Sequence, residues 1–176
     1  MTGYEQIWPV AEDYYGIITS AKAKELGVSK QNMVAMEKSG KLTRLSHGVY
    51  QVRHHVPTKN DVYAICVAMA GENAYLRGAS ILYMLELTPA NPSTVYVGSP
   101  KRIRRKLPKG LSIKHNQPYD GVEFEGYEGI KCQNLVDAFN ATIEDGTIEL
   151  DRLAEAAEKA KEKGLMNDEE CAQFQS

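Results

Sequence analysis

The sequence predicts an α+β chain, an N-terminal winged helix-turn-helix followed by a mixed α/β domain. Two observations lead there. Across residues 5–52, short helical patterns separated by glycines and capping residues give way to a period-two hairpin. Beyond Pro57, β-branched strand patterns alternate with helical ones and end in a long Ala/Glu/Lys helix. The expected domains are therefore residues 1–56, the winged helix-turn-helix, and residues 57–176, the mixed domain with its C-terminal helix.

The first helix is expected within residues 5–15. Ile7, Trp8, Val10, Ala11, Tyr14 and Tyr15 form its apolar face, and the regular part begins near Trp8 or Pro9 because proline fits only near a helix start. Gly16 closes it. Ile17 and Ile18 lead into Thr19, an N-cap for a short helix Ser20–Leu26 that Gly27 stops. Ser29 caps the next helix, Lys30–Ser39, and Gly40 ends it. Leu42, Arg44 and Ser46 then alternate with Thr43, Leu45 and His47, Gly48 turns the chain and Val49–Val52 returns, a hairpin with its turn at Ser46-His47-Gly48.

In the second part, Asp61 is expected to cap a helix Val62–Ala70, ended by Gly71. A helix Ala79–Leu85 follows, and Pro89, Asn91 and Pro92 break the chain. Thr94–Val97 and Leu111–His115 read as strands, with Val122–Phe124 and Tyr127–Cys132 as weaker candidates. Asn134 caps a helix Leu135–Ile143. Leu150–Lys163 forms the last helix, whose Glu/Lys spacings permit i,i+4 pairs such as Glu155–Lys159.

Of the 176 residues, 43% are hydrophobic and 25% charged, the balance of a soluble globular chain. The longest apolar run, Ala64–Ala70, is far short of the roughly 20 residues a membrane helix needs. The N-terminal residues show no signal-peptide pattern. Cys66, Cys132 and Cys171 stand far apart, which points to a reducing, cytoplasmic setting and to no zinc site. No cofactor is expected. The net charge of −2 conceals an uneven distribution. Residues 1–56 carry +2, residues 57–118 carry +6 and residues 119–176 carry −10. Such asymmetry suits one surface for an anionic partner and a second for something else.

The residue chemistry points to duplex DNA. If Met33 and Met36 face the core, then Lys30, Gln31, Val34, Ala35 and Lys38 face outward. Ser29, Lys30, Gln31 and Asn32 occupy the helix N-terminus, where recognition helices meet base edges. Gln and Asn can pair with adenine, and Lys with guanine or phosphate. Lys41, Arg44 and His47 stand on or near the wing, suited to phosphate or the minor groove. The run Lys101-Arg102-Ile103-Arg104-Arg105-Lys106 adds a second basic feature. Arg102, Arg104 and Arg105 are candidates to extend the DNA contact, the alternatives being protein docking or a solvated hairpin. Arg53, His54 and His55 read as a solvated linker.

An enzyme is not expected, since no P-loop, G-x-S-x-G or H-E-x-x-H occurs. One alternative is a metal-dependent, nuclease-like activity using Asp120, Glu123, Glu125 and Glu128, although a solvated acidic face accounts for the same residues. The other is a protein-interaction module or stand-alone winged-helix regulator.

Gly16-Ile17-Ile18-Thr19, Ala23, Gly27-Val28-Ser29, Gly40-Lys41-Leu42 and Arg44-Leu45-Ser46-His47-Gly48-Val49-Tyr50 together resemble the N-terminal winged-helix domain of AbiEi-type antitoxins, from bacterial type IV toxin–antitoxin systems. More loosely, Leu76–Leu87 with Gly78-Ala79-Ser80, Val95-Tyr96-Val97, the basic run, Ile113-Lys114-His115, Gly129-Ile130-Lys131 and Asn134–Ala138 recur in similar order. The resemblance implies a DNA-binding autorepressor acting on an operator, in repeats upstream of its own operon. It also implies a neighbouring nucleotidyltransferase-like toxin, linked by function and not necessarily by direct contact. In that family the C-terminal domain is associated with countering toxicity.

Overall fold

The wing and the helices before it are organised by one short strand that had no periodic signal. In the computed structural model, which describes residues 3–89, 93–115 and 124–175, Ile17–Thr19 forms strand β1. Three residues are too few to show alternation, but Ile17 and Ile18 are both buried. β1 lies antiparallel to β3 (Val49–Val52), which pairs in turn with β2 (Leu42–Ser46), giving a sheet in the order β1-β3-β2. The β2–β3 hairpin turns where expected, with a register shift between Arg44 and Ser46.

Helix α1 runs Gly3–Glu12, so it starts earlier than expected and takes Pro9 into its interior. Pro9 removes the donor that would serve the Glu5 carbonyl, but both residues are exposed and water can take its place. Ile7 and Ala11 face inward. Helices α2 (Ser20–Glu25) and α3 (Lys30–Lys38) follow their caps. The Thr19 side chain accepts from the Lys22 amide at 3.1 Å, and Ser29 Oγ from the Asn32 amide at 3.1 Å. Ile7, Ile18, Val28, Met33, Leu42, Tyr50 and Val52 close this core. At Gly16 the backbone is left-handed (φ +72°), and a Cβ would come within 2.6 Å of His55 Cβ. Only glycine satisfies both conditions.

The chain divides into two compact units, Met1–Met69 and Ala70–Ser176. Helix α4 spans Asp61–Ala70. Asp61 is its first residue, not a cap outside it, and its carboxylate reaches back to the Thr58 amide at 3.2 Å.

In the second unit, β4 (Tyr75–Leu76) lies between β5 (Val95–Ser99), antiparallel, and β8 (Ile130–Gln133), parallel. β6 (Leu111–His115) and β7 (Phe124–Tyr127) are the outer strands of the order β6-β5-β4-β8-β7. Tyr127–Cys132 is not one strand. Glu128 and Gly129 both take positive φ, 55° and 76°, and turn β7 back onto β8. Val122 and Glu123, from the other weak strand candidate, lie outside the described residues, as do Asn91 and Pro92. Opposite Tyr75, Gly98 leaves room for the aromatic ring, which a Cβ would strike.

Helices α5 (Ala79–Met84), α6 (Leu135–Asp145), α7 (Leu150–Glu162) and α8 (Asp168–Ala172) complete the unit. Asn134 caps α6 by accepting from the Asp137 amide at 2.9 Å. The Phe139 and Phe174 rings pack in a tilted arrangement with centroids 4.8 Å apart. Buried Arg77 pairs with Asp145 at 2.7 Å, joining the end of β4 to the end of α6. On α7 the ion pairs among the described residues run from Lys161 to Glu158 and Asp168, in place of the expected Glu155–Lys159 pair. Among the described residues, no helix is long and apolar enough to cross a membrane.

Candidate nucleic-acid interface

The second helix of the helix-turn-helix presents its polar face because its apolar residues fall three apart. Met33 and Met36 are buried, and Ser29, Lys30, Gln31, Asn32 and Lys38 are exposed. The N-terminal turn of α3 therefore projects three polar side chains, and the Ser29 cap fixes the direction in which it starts.

The wing approaches the same face. A cleft of about 360 Å³ is lined by Lys30, Val34, Glu37 and Lys38 from α3 and by Arg44, His47, Gly48 and Tyr50 from the hairpin. Lys30, Lys38, Arg44 and His47 thus converge on one groove, together with the Glu37 carboxylate. Ser20 lines it too, and its amide donates to the Gly48 carbonyl at 2.9 Å, tying the wing turn to the start of α2. Ser20 Oγ has no hydrogen-bond partner among the described residues. A second depression lies along Lys30, Gln31 and Val34. A third follows the helix-turn-helix bend from Ser20 and Lys24 to Ser29 and Lys30.

The candidates do not all meet there. Lys30, Lys38, Arg44 and His47 share the cleft, and Gln31 adjoins it through Lys30 and Val34. Asn32 is exposed on α3 but lines none of these depressions. Lys41 is exposed, with its Nζ 5.5 Å from the centroid of the Tyr4 ring. Sequence reasoning did not single out Ser20, Glu37 and Tyr50, because lining a cleft is a property of packing.

His55 is no solvated linker residue. Its ring is largely buried, with Nε2 3.0 Å from Asp61 Oδ2, and it packs against Gly16. Arg53 and His54 are exposed. Among the described residues no group of His, Cys, Asp and Glu is arranged to hold a metal ion. Glu125 and Glu128 are exposed, and Asp120 and Glu123 lie outside the described residues.

In the second unit, Lys101, Arg102, Arg104, Arg105 and Lys106 are exposed. Their segment is not a hairpin. It joins β5 to β6, which pair in parallel from Val95↔Leu111 to Ser99↔His115. A parallel pair needs a return path along the strands, and residues 100–110 make it without helix or strand.

Comparison with known proteins bears on the unit that holds the cleft. Residues 5–53 match the family model of the AbiEi antitoxin transcriptional regulators. The AbiEi-like segment runs from α1 through the last strand of the wing, so it contains α3 and every residue of the cleft. No curated protein sequence matches the chain at a significant level. Among solved structures, the RV2827C protein from Mycobacterium tuberculosis aligns with a TM-score of 0.44 at 12% identity, over 99% of this chain and 80% of its own.

Proposed function

We propose that residues 1–56 bind duplex DNA sequence-specifically and that the chain is a transcriptional repressor, the autoregulating antitoxin of a type IV toxin–antitoxin pair. The observation that carries this reading is the cleft between α3 and the wing. There Lys30, Lys38, Arg44 and His47 surround the recognition face within the AbiEi-like segment.

In this reading α3 enters the major groove by its N-terminal turn. Gln31 and Asn32 read base edges, Lys30 reaches guanine or phosphate, and the Ser29 end of the helix faces a phosphate. Lys38, Lys41, Arg44 and His47 hold the backbone from the helix end and the wing. Arg102, Arg104 and Arg105 add phosphate contacts from the second unit. The operator lies upstream of the chain's own operon, and a nucleotidyltransferase-like toxin is the functional partner.

The test is binding to that upstream DNA at stated salt. Gln31→Ala is expected to relax base choice by about 1–3 kcal/mol at one position, and Arg44→Ala to weaken binding across sequences. If both folded variants bind like the parent, the assigned surface is wrong.

A further inference from the structure

The recognition face has an apolar centre. Val34 lines the cleft with Lys30, Lys38, Arg44 and His47, and also the adjoining depression with Lys30 and Gln31. It is half-buried, while Lys30, Gln31 and Lys38 around it are exposed. The two core residues of α3, Met33 and Met36, are buried on the other side.

A helix face turned to solvent is ordinarily polar, and valine is a poorer helix former than the Lys, Gln or Glu that would solvate it. Val34 is one turn beyond Lys30 and Gln31, the turn nearest the base edges in a docked recognition helix. The major groove presents one apolar group, the C5-methyl of thymine. A valine on a helix holds essentially one χ1 rotamer, so its methyls meet a fixed surface with little loss of side-chain freedom.

We propose that Val34 packs against the C5-methyl of one thymine and thereby specifies an A·T pair. The inference rests on the reading of α3 as a DNA-binding helix. Lys38, Arg44 and His47 supply attraction to any duplex, and Val34 adds to the discrimination supplied by Lys30, Gln31 and Asn32.

Deoxyuridine isolates the contact, because it pairs as thymine does and lacks only the methyl. The probe is the duplex that the full chain selects from a random pool at fixed salt, with each thymine replaced singly by deoxyuridine. One replacement is expected to weaken parent binding about fourfold, the equivalent of one buried methyl group. The other replacements are expected to leave it unchanged. Val34→Ala is expected to bind the thymine duplex more weakly and to lose the difference between thymine and uracil.

If a duplex is selected but no uridine position matters to the parent, the thymine contact is overturned and the DNA-binding reading stands. Because this arm uses the parent chain alone, it does not depend on the variant folding. A uridine effect that persists in a folded Val34→Ala variant also overturns the assignment. Failure to select any sequence defeats both readings.

Discussion

Asp61 ties the segment after the wing to the start of α4. Its carboxylate accepts from the Thr58 hydroxyl at 2.6 Å and the Thr58 amide at 3.2 Å, and faces His55 Nε2 at 3.0 Å. Burial pushes its pKa up. The hydrogen bonds from Thr58 and His55, together with the His55 charge, outweigh that and hold it below the ordinary 3.8. A carboxylate depressed on folding stabilises the fold above its unfolded pKa, and that contribution disappears as the pH falls through the folded value. Asp61→Ala is therefore expected to cost about 1–2 kcal/mol at neutral pH. Melting curves should show the gap to the parent narrowing once the pH drops below the usual carboxylate range. A deficit that does not change with pH would contradict the ionic part of this account. At Cys132 burial prevails, since the enclosed thiol is pushed up to about 12 against the opposing effect of a backbone hydrogen bond at Tyr127. A thiol reagent at pH 8 is expected to modify Cys132 only after denaturant is added. Labelling of Cys132 in the native chain would show that β8 opens.

Among the elements, α3 depends on the residue that precedes it. Ser29→Ala removes the acceptor for the Asn32 amide and is expected to cost about 1 kcal/mol in denaturant unfolding. In the proposed function the cap sets the path of the reading turn, so the same variant should also weaken DNA binding. An unchanged unfolding midpoint would show that water replaces the cap. In the second unit, the β4–β5 pair depends on Gly98 lying under Tyr75. Gly98→Ala is expected to displace the ring and cost about 1–3 kcal/mol, the range for overpacking a closed core. Wild-type stability in this variant would mean that the ring moves freely.

Across the full chain, charge is the property no single element reveals. Residues 1–118 carry +8 and residues 119–176 carry −10, so one chain contains both attraction and repulsion for DNA. Removing a cation that neutralises one phosphate should reduce the slope of log K against log salt by about 0.9. If Arg102, Arg104 and Arg105 make the proposed phosphate contacts, the 176-residue chain with all three changed to Ala is expected to show a shallower slope than the parent. An unchanged slope in the folded triple variant would remove these arginines from the DNA contact and leave the crossover as a docking or solvated segment.

Local structure in the first unit was legible residue by residue along the chain. Thr19 and Ser29 cap the helices they precede, as Asn134 does in the second unit, and the wing turns at Ser46-His47-Gly48. Caps and tight turns are satisfied by atoms a few residues apart, which is why they can be read this way. Helical periodicity likewise placed Met33 and Met36 inside and the polar residues of α3 outside. Features that rest on distant partners emerged only with packing. β1 and β4 are too short to announce themselves, and each exists through strands well removed in sequence. The His55 ring is largely buried because Gly16 and Asp61 meet it, which its own surroundings in the chain do not state. The basic run is a parallel crossover and not a hairpin, since strand direction follows from pairing and has no local signature. The candidate cleft is of the same kind. Its residues were readable one by one, but only the packing of the wing against α3 brings Lys30, Lys38, Arg44 and His47 around Val34.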